Sequence, residues 1–336
     1  MAGLFANTLR PAILAVSRSE RLRRAAERLP VTRGVVHRFV PGETVGSVLN
    51  SVAALRGSGC LVSVDYLGED VTDIDGAVAT VQAYLRLLDA LSADSAGEGV
   101  WPLEVSVKLS ALGQALERDG QKIALDNART ICERAQQAGV WVTVDAEDHR
   151  TTDSTLSISG DLRVDFPWLG TVLQAYLRRT LDDCRELATV GARVRLCKGA
   201  YDEPASVAYR DRDEVTDSYL RCLRVLMAGS GYPMVATHDP QIIDAVPGLA
   251  HEFSRGVGDF EYQMLYGIRG DEQRRLVAAG NQVRVYVPYG TQWYGYFMRR
   301  LAERPANLMF FVRALAERPS RGQTGSSSSC RNRSGW

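Results

Sequence analysis

Of the 40 basic residues in this 336-residue chain only Lys108, Lys122 and Lys198 are lysine, the rest being arginine. Lys122 falls in a polar helical stretch and reads as a surface residue. Lys108, in LEVSVKLS, and Lys198, in ARVRLCKG, each follow a β-branched run. A lysine there could act as a Schiff-base nucleophile, its pKa lowered by burial and neighbouring cations. A second group lies near the C-terminal end, where YFMRRLAER sets Tyr296 one helical turn before Arg299 and Arg300, with Glu303 one turn after. Two adjacent guanidiniums could clamp a small carboxylate with paired N–H···O bonds, and Tyr286, Tyr289, Trp293 and Tyr296 would make an aromatic wall beside them. Asp145, His149, His238 and Asp239 could in principle hold a divalent metal. No H-x-H or H-E-x-x-H spacing supports that, and no metal is expected. No Ser or Cys stands in a nucleophile-elbow context.

Positioning these groups requires a repeated frame. Short alternating or β-branched runs begin at Cys60, Leu103, Val140, Leu169, Ala192, Pro233, Phe260 and Gln282, with amphipathic stretches such as DIDGAVATVQAYLRLLDAL between them. The pattern predicts an α/β protein, a (β/α)8 TIM-like barrel. Strand ends collect the chemistry of such a barrel. Here they carry Asp65 and Glu69, Lys108 and Ser110, Asp145, Glu147 and His149, Gln174, Arg195 and Lys198, Thr237, His238 and Asp239, and Tyr286. A dinucleotide-binding doubly wound fold is the rival, but Gly256-Val257-Gly258 is followed by Asp-Phe-Glu ahead of a strand, so its Gly-rich fingerprint is missing. Residues 1–55 read as an N-terminal helical segment packed on the barrel, 56–317 as the catalytic barrel and 318–336 as a disordered Ser-, Gly- and Arg-rich tail.

Lys+Arg and Asp+Glu are 40 each, for a net charge of 0, which removes the electrostatic footprint of a nucleic-acid binder. No apolar run is long enough to cross a bilayer. The cysteines form no C-x-x-C pair or disulfide framework, and a reducing cytoplasm suits them. The Arg-rich N-terminus is similar to a mitochondrial presequence, yet Glu20 and Glu27 favour an ordinary helix.

Taken in order, VSVKLSAL, VTVDAED, QAY, RLCKGAY, ATHD, FEYQMLYG, RVYVPYG and YFMRRLAE resemble the motif series of the proline dehydrogenase family, from about Gly68 to Val312. The resemblance implies a distorted (β/α)8 barrel that holds FAD without a Rossmann domain. It also implies oxidation of L-proline to Δ1-pyrroline-5-carboxylate with electrons passed to a quinone. By the same resemblance Arg299 and Arg300 take the substrate carboxylate, and Tyr296, Tyr286, Leu265 and Lys108 line the proline pocket. Asp145 pairs with Lys108, and Arg195 donates near the flavin N5. Gln174, Lys198, Ala200, Thr237 and His238 contact FAD, while Glu69 gates the site by pairing with the last-helix arginines. The monofunctional form is implied, in which product is released to a pyrroline-5-carboxylate dehydrogenase, with peripheral contact at the inner face of a membrane through the quinone. A Schiff-base lyase or aldolase using Lys108 or Lys198, and a barrel that only binds a small carboxylate, are the alternatives from the residues alone.

Overall fold

The structure, a computed structural model, describes residues 36–92 and 101–303. The presequence-like N-terminus and the Ser-rich tail lie outside these residues. Eight strands alternate with helices in chain order: α1 (Val45–Gly57), β1 (Leu61–Tyr66), α2 (Ile74–Leu91), β2 (Leu103–Val107), α3 (Gly120–Ala138), β3 (Trp141–Val144), α4 (Thr152–Asp165), β4 (Gly170–Gln174), α5 (Thr180–Thr189), β5 (Arg193–Cys197), α6 (Arg212–Ala228), β6 (Tyr232–Ala236), α7 (Pro240–Glu252), β7 (Glu261–Leu265), α8 (Gly270–Ala278), β8 (Val283–Tyr289) and α9 (Trp293–Glu303). All neighbours are parallel, and β8 pairs with β1 from Leu61↔Arg284 to Tyr66↔Tyr289, closing the barrel. Each strand begins within two residues of the run that predicts it.

The alternation of side chains along a strand explains both the closure and the site. One set of positions is aliphatic: Val62 and Val64, Val105 and Val107, Val142 and Val144, Val285 and Val287 pack against Leu87 and Leu88 of α2 and Ile131 of α3. Val194, Leu196 and Val235 do the same against α6 and α7, where Tyr219, Leu223, Ile242 and Val246 are buried. This outer shell is the hydrophobic core. The alternate positions face the barrel interior, and instead of the usual branched aliphatics they carry Ser63, Asp65, Glu104, Ser106, Arg193, Arg195, Glu261, Gln263 and Arg284, all buried. Arg195 on β5 bonds Ser63 on β1, Glu104 and Ser106 on β2, Asp145 after β3 and Gln263 on β7, so the interior is tied across its full width.

Helix starts use side chains that capture orphan backbone N–H groups. Asp73 accepts from Gly76 N at 2.7 Å ahead of α2, Asp211 from Asp213 N at 2.8 Å ahead of α6, and Asp239 from Gln241 N at 3.0 Å ahead of α7, with Pro240 as its first residue. Among the described residues no helix is long and apolar enough to cross a membrane.

Candidate active site

Lys108 directly follows β2 and is 8% exposed. Its Nζ lies 2.8 Å from Asp65 Oδ2 and 3.7 Å from Asp145 Oδ2. Burial disfavours the ammonium, but the carboxylates of Asp65 and Asp145 outweigh it and hold the pKa well above the usual lysine value. The expectation that burial and neighbouring cations lower this pKa is therefore corrected: Lys108 is a fixed cation, the opposite of a Schiff-base nucleophile. Asp145 does pair with Lys108, yet its shorter bonds run to Arg195 Nη1 at 2.7 Å and to the Tyr286 hydroxyl, which donates to it at 2.9 Å. Burial raises the Asp145 pKa, against the pull of Arg195 and Lys108.

Next to this cluster Glu147 accepts from Ser110 N at 3.0 Å and from Ser110 Oγ at 2.5 Å. Burial raises its pKa, the Ser110 bonds opposing. Ser110 Oγ in turn accepts from Asp70 N at 3.2 Å, and its carbonyl accepts from Val71 N at 3.3 Å. The β1–α2 loop is thus laced to the end of β2, through Asp70 at φ 51°, a left-handed conformation uncommon for a non-glycine residue. That loop brings Glu69 close enough for its charge to strengthen the Lys108 ammonium.

The β4–β6 side of the mouth holds the other expected residues. Arg195 is 5% exposed, and every N–H of its guanidinium is spoken for, Nε by Gln263 at 2.5 Å, Nη1 by Ser106 and Asp145 at 2.7 Å each, Nη2 by Glu104 at 2.5 Å and Ser63 at 3.4 Å, so the expected donation near a flavin N5 is corrected to an effect of its charge. Gln174 donates to the Glu147 carbonyl at 2.7 Å. Lys198 donates to Asp239 at 2.6 Å and to Thr216 at 2.7 Å, and its side chain is partly exposed. Gly199 has φ +115°, and a Cβ there would stand 2.3 Å from the Tyr176 ring, so the turn that presents Ala200 requires glycine. Beyond it Glu203 accepts from His149 N at 2.9 Å and pairs with His149 Nδ1, joining the β5–α6 and β3–α4 loops. Thr237 Oγ1 accepts from Asp239 N at 3.0 Å, and His238 Nε2 accepts from Leu265 N at 2.9 Å.

Helix α9 roofs the opening. Trp293, Tyr294, Tyr296, Phe297 and Met298 are buried with Phe39, Val40, Leu67 and Ile268, and Leu265 and Tyr286 pack against the same cluster. Leu265, Tyr286 and Tyr296, expected to line one pocket, therefore meet in one apolar group, and the Tyr286–Asp145 bond joins it to Lys108 and Arg195. Arg299 and Arg300 fall within α9, one turn beyond Tyr296, and their side chains lie outside what is described. Sequence reasoning gave no role to Asp65 or Glu147 and passed over Glu104, Gln263 and Glu203. A charge in the inward register of a strand, as at Glu104 four residues before Lys108, is the signal that could have found the second group.

Fold and site together define a TIM-like barrel whose mouth gathers fixed cations and carboxylates under an aromatic helix. The proline dehydrogenase family model matches residues 48–313, and the chain belongs to the proline dehydrogenase family. It is 40% identical over 278 residues to proline dehydrogenase of Deinococcus radiodurans, with 82% of this chain and 88% of that one covered. It is 37% identical over 302 residues to proline dehydrogenase 1 of Bacillus subtilis, covering 90% and 97%. Among solved structures it is similar to proline utilization A of Bdellovibrio bacteriovorus inactivated by N-propargylglycine, with TM-score 0.74 and 26% identity, covering 81% of this chain and 33% of that one.

Proposed function

We propose that this chain oxidises L-proline to Δ1-pyrroline-5-carboxylate, with FAD as the hydride acceptor and a quinone as the final electron acceptor. The observation that carries the proposal is the joined cluster Lys108–Asp145–Arg195–Tyr286 beneath the helix that contains Arg299 and Arg300. The donor set suits a flavin. Gln174 spends its amide N–H on Glu147 and so keeps an oxygen to accept from a ring N–H, Arg195 is a fixed cation, and Lys198 is a partly exposed cation for an anionic group. Ala200, Thr237 and His238 border the same side. Bound there, FAD supplies the two-electron acceptor that the amino-acid side chains lack.

On the substrate side Arg299, Arg300 and Lys108 take the proline carboxylate, and Tyr296, Tyr286 and Leu265 hold the ring. Asp65 and Asp145 keep Lys108 charged, which is what a carboxylate ligand needs. Glu69, on the loop laced to Ser110, pairs with the α9 arginines when the site closes. The product passes to a pyrroline-5-carboxylate dehydrogenase, and the quinone brings the protein to the face of a membrane.

Anaerobic addition of proline to the purified protein should bleach its bound flavin. Arg299→Met and Arg300→Met should each raise the KM for proline on the order of 10- to 100-fold, the worth of a charged hydrogen bond of roughly 1.5–3 kcal/mol, with flavin content unchanged. A colourless protein, or a flavin that proline leaves oxidised, would falsify the proposal. Loss of flavin at unchanged proline affinity would move the arginines to the cofactor.

A further inference from the structure

Arg195 is held from two levels of the barrel. At the mouth side Asp145 takes Nη1 at 2.7 Å but also serves Tyr286 and Lys108. From the other side Glu104, in the middle of the barrel wall and 0% exposed, takes Nη2 at 2.5 Å. Its second oxygen is bound by Arg193 Nη2 at 2.8 Å, and Arg193 is itself anchored to the Trp168 carbonyl at 2.9 Å with its Cζ 3.6 Å from the Trp141 ring centre. On the neighbouring strands Glu104 is opposed by Ser63 and Trp141. Its buried carboxylate has one oxygen on Arg195 and the other on Arg193, so it is read as acting through those groups rather than on the reacting atoms.

We propose that Glu104 is a positioning residue for Arg195: its carboxylate holds the guanidinium back inside the barrel and so sets the strength of the positive field at the flavin. The inference rests on the reading of Arg195 as the flavin-side cation. Its logic is electrostatic. Reduced flavin is the more electron-rich form, so a cation nearer to it favours reduction, and a carboxylate that holds the cation back moderates the effect.

The test is a redox titration of the bound flavin in a double-mutant cycle. Glu104→Gln, which keeps the shape but releases the guanidinium toward Asp145 and the mouth, should shift the reduction equilibrium toward reduced flavin on the order of tenfold. Arg195→Met should shift it the opposite way. In the Arg195→Met background, Glu104→Gln should shift it clearly less, because only its own charge is left to act. Asp183→Asn, which weakens the half-exposed pair between Arg179, just before α5, and Asp183 on it at 2.9 Å, is the control for general destabilisation and should leave the equilibrium in place. If the single variant misfolds, Glu104→Gln with Arg193→Gln keeps the lower charges balanced and should shift in the same direction by about threefold or more. An unshifted equilibrium in Glu104→Gln while Arg195→Met shifts overturns the proposal, as does an equal shift in both backgrounds, which would mean that Glu104 acts by its own charge. No shift in Arg195→Met brings down the reading of Arg195 beneath it, and only that outcome does.

Discussion

The barrel interior holds two layers of opposite charges, and they are built differently. The lower layer pairs Glu104 with Arg193 and Glu261 with Arg284. It is bolted to main chain and aromatic rings. Arg284, 0% exposed, donates to Glu261 at 2.7 and 3.0 Å and to the carbonyls of Val62, Pro102 and Trp101 at 3.1–3.3 Å, over the ring of Trp141. Trp101 stacks on Trp141 beneath it. The upper layer, Asp65, Lys108, Asp145 and Arg195, is tied instead to side chains: the hydroxyls of Ser106 and Tyr286 and the amide of Gln263. Backbone carbonyls are held in place by the chain they belong to, whereas hydroxyls and carboxylates can rotate. The lower layer is architecture; the upper layer has the freedom that a binding site uses.

The largest effect should come from breaking the lower layer. Arg284→Met strands the buried Glu261 carboxylate, at a cost of about 3–5 kcal/mol in unfolding free energy by denaturant titration. Lys108→Met, which strands carboxylates next to the mouth, should cost clearly less while abolishing tight proline binding. Equal costs would erase the distinction between the layers.

The upper layer can be sharpened by pH. The folded-state pKa of Lys108 is raised, so the stability it contributes is complete below about pH 10.4, the unfolded value, and is lost as the pH climbs through the folded value. Asp65→Asn removes the carboxylate at 2.8 Å and lowers that folded value. Alkaline unfolding, and the alkaline limb of proline oxidation, should therefore move down by about one to two pH units. A limb that stays put assigns it to another group.

The smallest effect belongs to the lower layer in acid. Burial raises the Glu104 pKa, but Arg195, Arg284 and Arg193 more than reverse this and leave it well below the usual glutamate range. The folded protein then binds fewer protons than the unfolded chain, so stability is present above about pH 4.3 and falls as the pH drops below it. Glu104→Gln should flatten that fall by at most about 1.4 kcal/mol per pH unit, one proton's worth, in acid unfolding curves. An unchanged slope would mean that Glu104 is not ionised in the fold.

The eight strands were legible because most of their outward positions are Val or Leu alternating with polar residues, as in VSVKLS, and because helical periods separate them. Lys108 and Asp145 were legible as strand-end residues, which any barrel brings to one mouth, whereas Arg195 and Tyr286, read the same way, stand in the middle of β5 and β8 and reach the site from inside the barrel. Which carboxylate holds Lys108 was not. That depends on the β1–β2 register, which sets Asp65 opposite Ser106, two residues below Lys108 and within reach of its long side chain. Glu104, Arg193 and Arg195 were equally hidden as partners, since their bonds cross the barrel and no spacing along one chain encodes a distance through its interior. Local pattern predicts strands; only closure reveals who faces whom.

Closure also bears on the order of assembly. Arg284 sits on β8, and its carbonyl partners, Val62, Pro102 and Trp101, come from the β1–β2 end of the chain, while Glu261 waits on β7. A growing polypeptide that has delivered seven strands holds a carboxylate with no guanidinium, and an open edge at either side. The eighth strand supplies the missing cation and the missing edge in one event. Barrel formation is for this reason a terminal, all-or-none step of synthesis, and fragments ending before β8 should be clients for chaperones rather than stable half-barrels.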